Sequence, residues 1–360
     1  MVNWSGFVKS ARGELREIAA FAAAVTLLIG SSFWAQSART DEILSLRGAG
    51  STFAAPLYKK WIDEYSASHR NVAISYDAVG SGEGVKRFLA EAVDFAGSDE
   101  ILSDSEIAKV PGAVMLPVTA GMIVLAYNIP GVNSEIKLPR DVYVDIFAGK
   151  IRKWDDPRIQ AANPGIVFPR RDIALVARQD GSGTTAAFTN HLAAISPSWR
   201  AAGMGVGKLI EWPRGILLAP GNEGVAARIR LSEGSIGYVE FWFAQRLGLR
   251  MAALQNKSGA FITPTANSGE LALSGRVAQV KELDASVADP AGPRAYPITT
   301  YSWMLLYPQY RDQAKGVALR EFALWGLSQP GQNYGAQLGY LPLSDDVASI
   351  GKQALGARTQ

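Results

Sequence analysis

The chain has 360 residues, 48% of them hydrophobic and 19% charged, with a formal net charge of +3 and a pI near 8.9. This length and apolar content exclude a disordered chain and favour two lobes over one, and the small charge gives no nucleic-acid footprint without a clustered basic patch, which the sequence lacks. The absence of cysteine removes disulfide frameworks, thiolate metal sites, cysteine nucleophiles and a lipid-anchored cysteine in one step.

In chain order, Lys9, Arg12 and Arg16 precede a run without charge from Ile18 to Ile29, the layout of an export signal. Ala35-Gln36-Ser37 supplies small residues for a cut before Ala38. Glu14, Glu17 and the continuation through Phe33 and Trp34 towards spanning length keep a retained anchor open. Residues 1–38 are therefore read as an export signal or membrane anchor, and the remainder is expected in the periplasm or at the cell surface.

From Arg39 to Leu46 a linker and entry strand lead into Gly48-Ala49-Gly50-Ser51-Thr52-Phe53. Leu57, Tyr58, Trp61, Ile62 and Tyr65 then share one helical face, with Pro56 tolerated in the first turn. Val72, Ile74 and Tyr76 alternate as a strand. Gly80 to Gly84 is expected to be a flexible turn, with Val85, Phe88, Leu89 and Ala92 marking a helix and Ser81 near its N-cap. Val93 to Ala96 leads into Gly97-Ser98-Asp99, and Ser103-Asp104-Ser105-Glu106 opens a polar helix. Val114 to Val118 and Met122 to Tyr127 are predicted as two strands, and Asn128-Ile129-Pro130-Gly131 as a passage between lobes. Val142, Ile146 and Phe147 predict a short helix ahead of a polar loop from Lys150 to Pro157.

Ile173 to Val176 has the composition of a buried strand, and Ala186, Phe188, His191 and Leu192 recur at helical spacing. Gly221-Asn222-Glu223-Gly224 opens a helix carrying Val225, Ala226 and Ile229, and Ser235 to Val239 forms a strand followed by Phe241 to Phe243. Asn267 to Val280 is predicted helical with Gly275 as its weak point. Pro290 to Pro297 is a connection, Ser302 to Tyr307 a strand, and Lys315 to Leu327 and Asp345 to Leu355 are the final helices. Strands alternating with helices imply an α/β architecture with largely parallel sheets.

Between the strand at Ile173 and the following helix lies Ala177-Arg178-Gln179-Asp180-Gly181-Ser182-Gly183-Thr184-Thr185. Helix starts leave backbone N–H groups without partners and carry partial positive charge, so they stabilise an anion that reaches them. Ser182 and Thr184 add hydroxyl donors, and Arg178 a planar fork suited to tetrahedral oxyanions. Gly-Ser-Gly-Thr is also what an ordinary loop with an N-cap looks like, and taken alone both readings stand. No GxGxxG, GxxxxGK[ST] or GxSxG spacing decides between them. The repetition of glycine-and-hydroxyl junctions at 48–53, 80–84 and 97–99 favours the cradle, because such junctions open at the carboxyl ends of sheet strands. A dehydrated anion needs donors from almost every side. Each charged hydrogen bond returns about 1.5–3 kcal/mol, so about five or more are required for micromolar affinity near −8 kcal/mol.

Gly48-Ala49-Gly50-Ser51-Thr52-Phe53-Ala54-Ala55-Pro56, Gly80-Ser81-Gly82-Glu83-Gly84-Val85-Lys86, Val93-Asp94-Phe95-Ala96-Gly97-Ser98-Asp99 and Arg178-Gln179-Asp180-Gly181-Ser182-Gly183-Thr184 resemble, in order and context, segments of the periplasmic phosphate-binding proteins of high-affinity ABC importers. Gly149-Lys150-Ile151-Arg152-Lys153-Trp154-Asp155-Asp156, Gly221-Asn222-Glu223-Gly224 and Ile236-Gly237-Tyr238-Val239-Glu240 extend the resemblance, which runs from about Leu46 to the C-terminus. It implies an α/β, two-lobed periplasmic binding-protein fold of type II-like form, with residues 39–127 plus 291–360 as lobe I, 128–290 as lobe II, and a ligand cleft between the hinged lobes. The family's phosphate contacts fall on Thr52, Phe53, Ser81, Asp99, Arg178, Ser182, Gly183 and Thr184, with Asp180 orienting Arg178. In the reading the resemblance implies, Asp99 accepts a hydrogen bond from a proton still carried by phosphate and repels sulfate, which carries none. The implied partners are inorganic phosphate and an inner-membrane ABC permease, with no catalytic residue, metal or cofactor and a monomeric chain.

Glu83 departs from this pattern by placing a charge inside the second cradle, and is expected to face solvent. The competing functions are hydrolysis or phosphoryl transfer through Ser182 and Asp180, binding of sulfate, molybdate or a phosphonate, and a membrane-anchored phosphate sensor. The chain offers only His69 and His191 as imidazole bases, the first in a polar turn and the second in a packing position. Lys150 to Trp154 is a candidate docking region for the permease.

Overall fold

The computed structural model describes residues 43–275, 280 and 287–356, so the segment read as a signal or anchor lies outside the described residues. The strands are β1 (Leu44–Gly50), β2 (Val72–Asp77), β3 (Phe95–Ser98), β4 (Val114–Asn128), β5 (Lys137–Leu138), β6 (Ala174–Arg178), β7 (Leu217–Ala219), β8 (Ser235–Glu240), β9 (Arg250–Met251), β10 (Ala253–Gln255), β11 (Phe261–Ile262) and β12 (Thr299–Leu306). The principal sheet runs β2-β1-β3-β12-β4-β8-β6-β7, with β9 also bonded to β4; β11, β10 and β5 form a small second sheet.

The principal sheet is not largely parallel, as the alternation of elements had suggested. Two parallel wings, β2-β1-β3 and β8-β6-β7, flank an antiparallel centre in which β12 pairs with β3 and β4, and β4 with β8. The wings arise from strand-helix-strand units, whereas β4 runs directly from one wing to the other and pairs antiparallel on both sides. Val114 to Met122 pairs with β12, and Ile123 to Asn128 pairs with β8.

The two strands expected over Val114–Tyr127 are therefore one. The gap expected at Thr119 to Gly121 is closed by pairing with Ser302 to Thr300, and the register against β12 slips only between Ser302 and Trp303, beside Pro117. Such irregularities accommodate a proline that has no N–H for the ladder. The Val118 carbonyl there accepts from Gln332 Nε2 at 3.0 Å.

Close approaches position the first wing. In the helix Ser81–Leu89, a Cβ on Gly84 would stand 2.3 Å from the Gly50 Cα, so only glycine lets this helix rest on the end of β1. Ser81 to Gly84 thus forms the first turn of a helix, where a flexible loop was expected, with Gly80 as N-cap at φ 91°. On the helix Ala55–Ser68, Trp61 meets Phe322 edge-on and donates from Nε1 to the Gly331 carbonyl at 2.8 Å.

The helix predicted from Asn267 is observed as Ala266–Leu273, ending ahead of Gly275 at φ 75°. The helix Gln329–Gln337 was not anticipated, because Pro330, Gly331, Asn333 and Gly335 are poor helix formers. Ser328 caps it and Gln332 anchors it. Among the described residues no helix is long and apolar enough to cross a membrane.

Candidate functional site

The carboxyl ends of β1, β3 and β6 converge on Asp99, which is 2% exposed. Its Oδ1 accepts from Ser51 Oγ at 2.6 Å and Ser302 Oγ at 2.8 Å, and its Oδ2 from Ser81 Oγ at 3.4 Å. Burial pushes this carboxyl up to about 6, against the lowering effect of the Ser51 and Ser302 bonds and the Arg178 charge. The same burial that makes an ionised Asp99 costly makes it a sensitive test of whatever hydrogen faces it.

The strand β6 delivers Arg178, also buried, and its last turn delivers the start of the helix Gly183–Ile195. Asp180 holds the Arg178 fork through two bonds, Nε to Oδ1 at 2.9 Å and Nη2 to Oδ2, and also accepts from the Gly221 N–H at 2.9 Å. Although burial acts to raise it, the Arg178 and Gly221 contacts hold the Asp180 carboxyl below its ordinary value. Asp180 thereby orients the guanidinium and leaves Nη1 directed to Thr184 Oγ1 at 3.5 Å.

Ser182 is the N-cap, its Oγ accepting from the Thr185 N–H at 3.1 Å while its own N–H goes to the Lys208 carbonyl. Its hydroxyl proton is left to give. Gly183 marks the meeting of the two wings: a Cβ there would lie 2.6 Å from Ser81 Oγ and 2.8 Å from Asp99 Cβ. Thr52 Oγ1 accepts from the Asn222 N–H at 3.1 Å and from its Nδ2 at 3.0 Å, and the same Nδ2 reaches Thr184 Oγ1 at 3.1 Å. Phe53 is fully buried, with its carbonyl taken by Tyr340 Oη at 2.6 Å.

Among the described residues, the N–H groups of Phe53, Ser81, Gly183 and Thr184 have no protein acceptor. Buried N–H groups are rarely left so; those of Ser81, Gly183 and Thr184 open their helices, the position that suits an anion, and that of Phe53 lies just ahead of the N-cap Ala54. All eight sequence-selected residues and Asp180 thus lie in one connected cluster. Grooves of about 770 Å³ and about 650 Å³ border it, the first lined by Thr52, Asp180 and Gly221, the second by Asp99, Lys208 and Thr300.

Three members of the cluster had not been singled out. Ser51 and Asn222 sat inside quoted motifs, whereas Ser302 lies on β12, with no local signal linking it to an acid 203 residues earlier. Glu83 turns from the cluster to Arg87 Nε at 3.0 Å and Lys86 Nζ at 3.5 Å. His69 stacks on Tyr65, and His191 is buried against Tyr143 Oη at 2.8 Å, where burial drives its imidazole down to about 3. In the Lys150–Trp154 docking candidate, Trp154 is fully buried and donates to the Gly234 carbonyl, which removes it from any surface role.

The PBP superfamily domain profile matches residues 35–329. The phosphate-binding protein PstS of Xylella fastidiosa is 35% identical over 320 residues, covering 88% of this chain and 86% of the relative. That of Haemophilus influenzae is 36% identical over 309 residues, covering 85% and 90%. The chain belongs to the PstS family of the PBP superfamily. A solved phosphate-binding protein from Stenotrophomonas maltophilia, 21% identical, superposes with a TM-score of 0.70 over 86% of this chain and 93% of that one. The chain accordingly has the two-lobed periplasmic binding-protein fold, and its family is one of substrate-binding transport proteins.

Proposed function

We propose that the chain binds inorganic phosphate between its lobes and presents it to an inner-membrane ABC permease, without catalysing a reaction. The observation that carries this reading is the pairing of one buried acceptor, Asp99, with Arg178 and a ring of hydroxyl and N–H donors drawn from both wings. Thr52, Ser182 and Thr184 offer hydroxyl protons, Phe53, Ser81 and Gly183 offer N–H groups, and Arg178 supplies the cationic fork. A tetrahedral anion that still bears a proton satisfies Asp99; sulfate would set oxygen against carboxylate. The relatives and solved structures named for phosphate support the same ligand.

The hydrolase alternative is disfavoured by the partners of its would-be nucleophile. Ser182 Oγ caps a helix, Asp180 is engaged by Arg178 and Gly221, and His191 is held neutral on Tyr143. The proposed lobes are residues 39–127 with 291–360, and 128–290. Their hinge runs along β4 from the change of partner at Met122/Ile123 to Asn128, a reading supported by the register. We further propose an exported, monomeric protein whose permease meets the closed form, with exposed Lys150, Arg152 and Lys153 in the docking region.

Calorimetric titration of Arg178→Ala and Asp99→Asn tests the site. The first loses about 100-fold or more in phosphate affinity while staying folded, since it forfeits charged hydrogen bonds of about 1.5–3 kcal/mol each. The second narrows the gap between phosphate and sulfate. Unchanged binding in both variants rejects the assignment, and preference for sulfate, molybdate or a phosphonate in the parent selects another oxyanion. Retention of the parent chain in the membrane fraction selects the anchored form.

A further inference from the structure

We propose that Asn222 is a positioning residue that sets the direction of the Thr52 and Thr184 hydroxyl protons, and with it the protonation state of the ligand that the site accepts. The proposal rests on the phosphate reading and deepens it.

Asn222 is wholly buried at the start of the helix Gly221–Leu231. Its Oδ1 accepts from the Glu240 N–H at 3.0 Å, which fixes the amide with Nδ2 towards the cluster. The two Nδ2 protons serve two hydroxyls, Thr52 Oγ1 at 3.0 Å and Thr184 Oγ1 at 3.1 Å. Each of those oxygens receives one donor more: the Asn222 N–H at 3.1 Å on Thr52, and Arg178 Nη1 at 3.5 Å on Thr184.

A hydroxyl oxygen has two acceptor positions and one proton. With both positions filled, Thr52 and Thr184 can only donate, and neither can accept a hydrogen from a ligand. Asp99 therefore faces the ligand as an acceptor, opposite hydroxyls whose polarity is set. Thr52 follows β1 in the first wing and Thr184 follows β6 in the second, so a single amide also ties the two wings together in this arrangement. An alanine at 222 would free each threonine to turn and accept. An aspartate would go further, keeping an acceptor for the Glu240 N–H while drawing both hydroxyl protons away from the ligand.

The test titrates phosphate calorimetrically into the full chain and into Asn222→Ala, Asn222→Asp, Thr52→Val and the two combined variants, across pH 5.5 to 8. Asn222→Ala is expected to weaken binding about tenfold or more, and less when Thr52 is already valine, because coupled residues do not add. Asn222→Asp is expected to displace the optimum towards low pH, where phosphate carries more protons, and the displacement is expected to shrink in the Thr52→Val background. A purely electrostatic effect of the new carboxylate would survive that background unchanged. Equal losses with and without Thr52, or a pH displacement indifferent to it, overturn the proposal. Should the alanine variant fail to fold, the aspartate variant, which retains the Glu240 contact, carries the test. If the parent chain takes up no phosphate, the functional reading fails; if the parent binds and the Asn222 variants match it, only this inference fails.

Discussion

At the scale of single residues, the site holds its acid in a costly state. Moving the Asp99 carboxyl from an ordinary 3.8 up to about 6 corresponds to about 3 kcal/mol against the native state when the group is ionised. The cost is absent below about pH 4, where both native and unfolded chains are protonated, grows as pH rises through that window, and is complete above about pH 6. Asp99→Asn is therefore predicted to raise the melting temperature of the ligand-free protein at pH 7 and to leave it nearly unchanged at pH 4. Ser51 and Ser302 temper the gain, because their hydroxyls lose a charged acceptor. A variant destabilised equally at both pH values would mean that Asp99 serves the fold more than the ligand. Glu83 gives a complementary prediction. Its carboxylate is paired with Arg87 and Lys86 on the helix surface, so Glu83→Gln should leave phosphate affinity within about twofold at constant salt, exposed pairs being weak. A marked gain in affinity would show that the charge reaches the ligand.

At the scale of elements, two helix starts from different wings meet where Gly183 brings no side chain against Ser81. Gly183→Ala tests this without disturbing the helix, since alanine is the better helix former. Its Cβ would crowd Ser81 and Asp99, so binding is predicted to weaken by about 1–3 kcal/mol, roughly 5- to 150-fold. Unaltered affinity would mean that the wings need not approach so closely. Contacts of this kind also decide what was legible in the sequence. The helices bearing Trp61 and Phe188, the strands β1, β2, β3, β6, β8 and β12, and the hydroxyl-bearing helix starts follow from local period and turn chemistry. Ser81 to Gly84 became helical because a neighbouring backbone, at Gly50, requires glycine for its approach, which local propensity does not record. β4 reads as two strands because Thr119 to Gly121 are held extended by pairing with β12, nearly two hundred residues away. Ser302 and Asn222 join the cluster through partners that only the folded sheet brings near, so the motifs point to the eight chosen residues and not to these two.

At the scale of the whole molecule, the account is of two sheet wings joined through β4 and closing around one dehydrated ion. Cross-wing bonds such as Gly82 N–H to the Gly181 carbonyl at 2.9 Å, and Lys208 to Glu100 and Glu106, accompany the assembled cluster. A ligand that favours this arrangement stabilises it by mass action, by about 2.7 kcal/mol at one hundred times its dissociation constant. Calorimetric titration of the parent protein with phosphate and, separately, with sulfate at neutral pH bears most directly on this claim. The account predicts one tight phosphate per chain and sulfate binding weaker by at least about 100-fold; equal affinity for the two anions, or no phosphate binding at all, would contradict it.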